Sequence, residues 1–164
     1  MSTAIRINHN IHEPYDGPRT ALVIGNAGYH NRPLYNPCND AKAIAEKLEK
    51  CGFDTKIETD LDLNGFRNAI RLFGQCLRTK KNGVGLVFFS GHGVQIGGIN
   101  YLLPVDFQDD NEVDAKHMSI QADWPLEHMA NAQCSLSIII LDACRDNPLH
   151  ARNKSITRGL MPMA

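Results

Sequence analysis

Gly83-Val84-Gly85-Leu86-Val87-Phe88-Phe89-Ser90-Gly91-His92-Gly93 is the stretch that decides the fold. Leu86 to Phe89 is apolar at every position. A strand with one wet face alternates, whereas a strand apolar on both faces belongs inside a parallel sheet covered on each side. Leu136-Ser137-Ile138-Ile139-Ile140-Leu141-Asp142 has the same character, and Thr20 to Ile24 is a shorter apolar run stopped by Gly25. Phe53, Thr55 and Ile57 alternate with Asp54, Lys56 and Glu58, the pattern of a half-buried strand. Helical segments lie between these runs. Asp40 is read as the cap of a helix to about Lys50, with Ala41, Ile44, Leu48 and Cys51 at helical spacing and Gly52 at its end. Asp62 caps a second helix whose apolar face is Phe66, Ile70, Phe73 and Leu77. Gly74 inside it costs about 1 kcal/mol against Ala. Ile99 to Pro104 reads as a short hairpin, and Asp123 caps a third helix from about Trp124 to Asn131. The order β, α, β, α, β, hairpin, α, β implies right-handed crossovers. The expected fold is therefore α/β, a mostly parallel sheet with helices on both faces.

The chain has 164 residues, 17 Lys+Arg against 18 Asp+Glu, and a formal net charge of −1. That length fits one domain. The near-neutral charge argues against a nucleic-acid or anionic-membrane binder that works by bulk electrostatics. No apolar run approaches the roughly 18–20 residues of a membrane span. The first 18 residues lack a signal-peptide core, and Pro14, Gly17 and Pro18 make them read as a flexible arm. The five cysteines, Cys38, Cys51, Cys76, Cys134 and Cys144, are odd in number and form no C-x-x-C pair. Neither a disulfide framework nor a zinc knuckle is suggested, and reduced thiols in a cytoplasmic setting are the simplest reading.

In open α/β sheets ligands bind beyond the carboxyl ends of the strands. Two such ends carry chemistry: Ser90-Gly91-His92-Gly93 after one apolar strand, Asp142-Ala143-Cys144-Arg145-Asp146 after another. Parallel strands bring His92 and Cys144 to one edge although 144 − 92 = 52 residues separate them. A thiolate attacks a carbonyl while an imidazole handles the proton. The backbone N–H groups of Gly93 and Cys144 are placed to meet a developing oxyanion, and glycines beside His92 let backbone approach a substrate. The other four cysteines sit on helix faces or loops and read as small buried hydrophobes. No histidine pair has a metal-binding spacing. Asp106, Asp109, Asp110, Glu112 and Asp114 read as a solvated acidic loop, without the glycine spacing of an EF-hand. Gly25-Asn26-Ala27-Gly28 lacks the third glycine of a dinucleotide-binding turn.

These residues resemble the caspase-like cysteine peptidases. The Ser-Gly-His-Gly and Asp-Ala-Cys-Arg motifs carry the resemblance, with the His about 50 residues upstream of the Cys. So do Ala21 to Asn26, Leu34 to Ala41 and Asn100-Tyr101-Leu102-Leu103-Pro104-Val105-Asp106, so that it covers about residues 19–162. Caspases proper carry Gln two residues before the nucleophile. Here Asp142 takes that place, which turns the resemblance toward metacaspases and paracaspases. The resemblance implies a cysteine endopeptidase with nucleophile Cys144 and acid–base group His92, and a pocket in which Asp40 and Asp142 hold a substrate Arg or Lys. An acidic pair repels an Asp side chain and pairs with a guanidinium. The expected partner is a peptide or protein with a basic residue at the cleavage site. No cofactor is expected. Many metacaspases need calcium, but Gly97 to Pro104 resembles the branch without that requirement.

The resemblance also bears on organisation. Residues 19–148 match a caspase-like large subunit, and 149–164, with Arg152, Lys154 and Arg158, resemble the basic linker to a small subunit, which is often cut by the enzyme itself. The small-subunit strands are expected to be missing, which leaves the edge beside Leu136–Asp142 open to a separate small-subunit chain or to self-association. The competing reading is a catalytically inactive caspase-like scaffold, for which the pair His92 and Cys144 has no purpose.

Overall fold

The computed structural model describes residues 2–7, 15–108, 112–144 and 156–158, with backbone alone at 2–7, 112, 114, 144 and 156–158. Its elements are β1 (Ser2–Ile7), β2 (Arg19–Gly25), α1 (Pro37–Lys50), β3 (Phe53–Thr59), α2 (Leu63–Thr79), β4 (Val84–Ile96), β5 (Ile99–Leu102), α3 (Glu112–His117), β6 (Ile120–Gln121), α4 (Trp124–Asn131), β7 (Leu136–Cys144) and β8 (Ile156–Arg158).

The main sheet runs β1-β7-β4-β2-β3. β2, β3, β4 and β7 are mutually parallel where they pair, as the crossover helices require. β4 lies at the centre and is buried along all of its length. Its alternate side chains feed two cores. Val87 and Phe89, with Leu22, Ile24, Ile139 and Leu141, pack under Phe66, Ile70, Phe73 and Leu77 of α2 and Met129 of α4. Leu86 and Phe88, with Ala21 and Val23, pack under Ala41 and Ala45 of α1. The helices thus cover both faces. Gly74 of α2 stands where a Cβ would lie 2.5 Å from His128 Nδ1 of α4, so its small size admits the neighbouring helix.

Several boundaries differ from expectation. The two chemistry-bearing strands do not stop at Ser90 and Asp142; β4 continues to Ile96 and β7 to Cys144. The glycines around His92 do not break β4, because β7 and then β5 keep supplying partners. The hairpin turn falls at Gly97-Gly98, with φ of 59° and 84°, the positive-φ pair that a two-residue β-turn demands. α1 begins at Pro37 with Asn36 at the N-cap, so Asp40 is not the cap but lies inside the first turn. Asp123 occupies the N-cap position of α4 without a capping side-chain hydrogen bond, whereas Asp62 caps α2 as expected, its Oδ1 accepting from Gly65 N–H at 2.6 Å.

Two short strands lie within the segments read as arm and tail. Ser2–Ile7 forms β1, antiparallel to β7 from Ser2↔Ala143 to Ile7↔Ile138. The edge of β7 expected to be bare is therefore covered by the chain's own N-terminal strand. Ile156–Arg158 pairs with Val94–Ile96 at the far end of β4. Arg152 and Lys154 lie outside the described residues, as do Arg145 and Asp146.

Candidate active site

β4 and β7 run side by side to their last shared step, where His92 and Cys144 are register partners. Adjacent strands lie about 4.8 Å apart, so a long separation in sequence collapses into a single inter-strand step.

His92 is 2% exposed and held at three points. Its backbone N–H donates to Tyr29 Oη at 2.9 Å, its carbonyl accepts from Leu103 N–H at 3.0 Å, and its Nε2 lies 2.8 Å from the Arg32 carbonyl. A carbonyl oxygen only accepts. In the neutral ring Nε2 therefore carries the proton and Nδ1 the lone pair, which makes Nδ1 the basic nitrogen.

Gly93 is the register partner of Leu102. The Leu103 N–H to His92 carbonyl bond makes Gly93↔Leu102 a non-hydrogen-bonded pair, so the Gly93 N–H points away from β5 and toward the side on which β7 lies. Asp142 sits two residues before Cys144, half-buried, beside Ser90 in the β4 register. Ile138 and Ile140, the preceding residues of the same alternation, pack with the α1-side core, so Asp142 belongs to the α1 face. Asp40 is half-buried in the first turn of α1, on that same face. His92, Cys144, Gly93 and Asp142 are thereby gathered within neighbouring registers of β4 and β7, while Asp40 lies in the first turn of the helix that follows β2.

Two of the other thiols are shifted upward. Burial, with help from Asp60, raises the Cys38 thiol above its ordinary value, and burial alone raises Cys134, so both are kept protonated. Cys38, Cys51, Cys76 and Cys134 are free thiols. Among the described residues no group of three His, Cys, Asp or Glu side chains could hold a metal ion. Asp106, read as part of a solvated loop, instead accepts from Leu63 N–H at 3.0 Å at the start of α2. Asp109 and Asp110 lie outside the described residues.

Sequence reasoning passed over the residues that shape the loop after β2. Asn26 is fully buried, its Oδ1 accepting from Leu61 N–H at 3.0 Å and its Nδ2 donating to the Leu103 carbonyl at 3.3 Å. Asp60, at φ 51°, accepts the N–H groups of Ala27 and Gly28 at 2.7 and 2.8 Å. The chain thus fills its own Gly25–Gly28 turn with a carboxylate, which removes any phosphate role for it. An asparagine directly after the apolar run Ala21–Ile24 and Gly25 was the available signal, since a buried amide must find partners.

The family model of the caspase domain matches residues 18–159. The chain is 28% identical over 138 residues to the human mucosa-associated lymphoid tissue lymphoma translocation protein 1, and 28% identical over 140 residues to its mouse homolog. Each alignment takes in 81% of this chain and 16% of the relative, so the chain spans about a sixth of the length of the curated relatives it matches. With a sheet of the expected topology beneath a match of that extent, the chain belongs to the caspase-domain family of cysteine peptidases.

Proposed function

We propose that the chain is a cysteine endopeptidase domain that cleaves after Arg or Lys through a Cys144–His92 dyad. The single observation that carries the reading is the His92↔Cys144 register, together with an imidazole whose Nε2 is already committed to the Arg32 carbonyl. Cys144 attacks the scissile carbonyl, and His92 Nδ1 takes the thiol proton and returns it to the leaving amine. The N–H groups of Gly93 and Cys144 receive the oxyanion. Asp40 and Asp142 supply two carboxylates on one face of the sheet, a geometry suited to a guanidinium fork. No metal is part of this proposal. The partner is a peptide or protein with an exposed basic residue, and a small-subunit chain would add the remaining pocket wall. No helix of the described residues is long and apolar enough to cross a membrane, and free thiols suit the cytoplasm.

Turnover of an arginyl peptide reporter tests this. Cys144→Ala is expected to reduce it by about 10⁴-fold or more, and an aspartyl reporter is expected to be refused. Unchanged turnover in Cys144→Ala overturns the dyad. An electrophilic arginyl probe that labels none of the five cysteines favours the scaffold reading.

A further inference from the structure

We propose that Tyr29 is the positioning residue of His92, its hydroxyl taking the place of the next residue that β2 does not supply. The inference rests on the reading of His92 as the acid–base group. β2 and β4 pair from Arg19↔Val84 to Gly25↔Ser90, and Asn26 N–H closes the ladder on the Ser90 carbonyl at 2.9 Å. In a parallel ladder alternate residues face a given neighbour, so the next backbone groups that need partners on the β2 side are those of His92. The chain has already turned away at Asn26. Tyr29 Oη accepts the His92 N–H at 2.9 Å and donates to the Leu103 carbonyl at 3.0 Å. Leu103 N–H donates to the His92 carbonyl at 3.0 Å. His92, Tyr29 and Leu103 thereby close a ring of hydrogen bonds in which one hydroxyl serves as both acceptor and donor.

The same loop fixes the imidazole. The Tyr29 ring lies 4.4 Å from it, centroid to centroid, tilted by 57°. Three residues on, the Arg32 carbonyl meets Nε2. Tyr29, 6% exposed, is the buried anchor of this loop. Gly91 has a matching purpose. A Cβ there would lie 2.6 Å from Tyr29 Oη and 2.7 Å from Phe89 Cζ. The glycine expected to admit a substrate backbone thus admits the tyrosine hydroxyl instead. With the strand at His92 and the carbonyl at Nε2 held by one loop, the ring keeps a single tautomer with Nδ1 as base.

Tyr29→Phe keeps the ring and removes the hydroxyl. On the arginyl reporter kcat is expected to fall about tenfold with KM little changed, the pattern of a group that acts on the chemical step. The ¹⁵N-histidine NMR spectrum of the substrate-free chain is expected to show His92 as one Nε2–H tautomer, and as a mixture in Tyr29→Phe. A folded Tyr29→Phe chain with an unchanged tautomer pattern overturns the proposal, and so does a loss carried by KM alone. The tautomer is read without substrate. A wild-type chain that turns over no reporter therefore counts against the peptidase reading, while the NMR pattern still decides the role of Tyr29.

Discussion

Asp142 and Asp40 are the residues whose charge sets the proposed specificity. Hydrogen bonds to a charged partner are worth about 1.5–3 kcal/mol each, so Asp142→Asn is expected to lower kcat/KM for an arginyl reporter by about ten- to hundredfold. A reporter with citrulline in place of arginine keeps the shape without the charge, and its kcat/KM is expected to stay near the wild-type value. Equal losses on both reporters would show that Asp142 supports the strand and selects nothing. His92, Cys144 and Asp142 were legible because each is chemically out of place at the end of an apolar run. Tyr29 and Asp60 were not. A tyrosine or an aspartate in a polar loop has nothing unusual around it in sequence, and the groups they satisfy, Leu103 and His92 for one and Ala27 and Gly28 for the other, come from elsewhere in the chain.

At the scale of elements, the α2–α4 contact carries a pH dependence. His128 of α4 lies over Gly74, its ring edge-on to Trp124 at 5.1 Å, and its Nδ1 is buried with no hydrogen-bond partner among the described residues. Burial first, then the nearby Arg78, lower its pKa from 6.5, and Glu127 opposes them. The folded chain therefore refuses a proton that the unfolded chain accepts near that value. This contribution to stability is complete above about pH 7 and is lost as pH falls through the ordinary histidine range toward the lowered value. The urea midpoint is expected to drop between about pH 7 and pH 5.5, and His128→Gln is expected to flatten that drop. If the midpoint of the variant follows the wild type, other groups carry the effect. Gly74 and His128 also mark a limit of periodicity. The apolar faces of α2 and α4 could be read from spacing, but that one helix needs a glycine to seat the other depends on their meeting in space. For the same reason Asn36 displaced Asp40 as the cap: Pro37 at the first helical position sets where α1 begins.

For the whole molecule, the parallel strands β2, β4 and β7 were legible because their apolar runs pack between the helices, and β3, at the sheet edge with no buried residue, by its alternation. β1 and β8 were not, because a peripheral strand of three to six residues is held by its neighbour's ladder rather than by its own pattern. β1 is nonetheless what separates β7, the strand that carries Cys144, from an open edge. Removal of residues 1–8 is expected to leave β7 free to pair, and so to produce concentration-dependent association in size-exclusion chromatography with light scattering. A truncated chain that stays monomeric at every concentration would show that the edge is guarded in another way.

The pairing of Ser2–Ile7 with Ile138–Ala143 joins segments far apart in sequence. β1 precedes its partner by more than 130 residues, so these six residues must wait for β7 to be made before they can dock. Contacts of such long sequence separation are the slow ones in folding. β1 is therefore expected to dock late, onto a parallel core whose β7 edge is bare until then, and the step that closes the sheet is also the step that sets Ser2 opposite Ala143, next to Cys144.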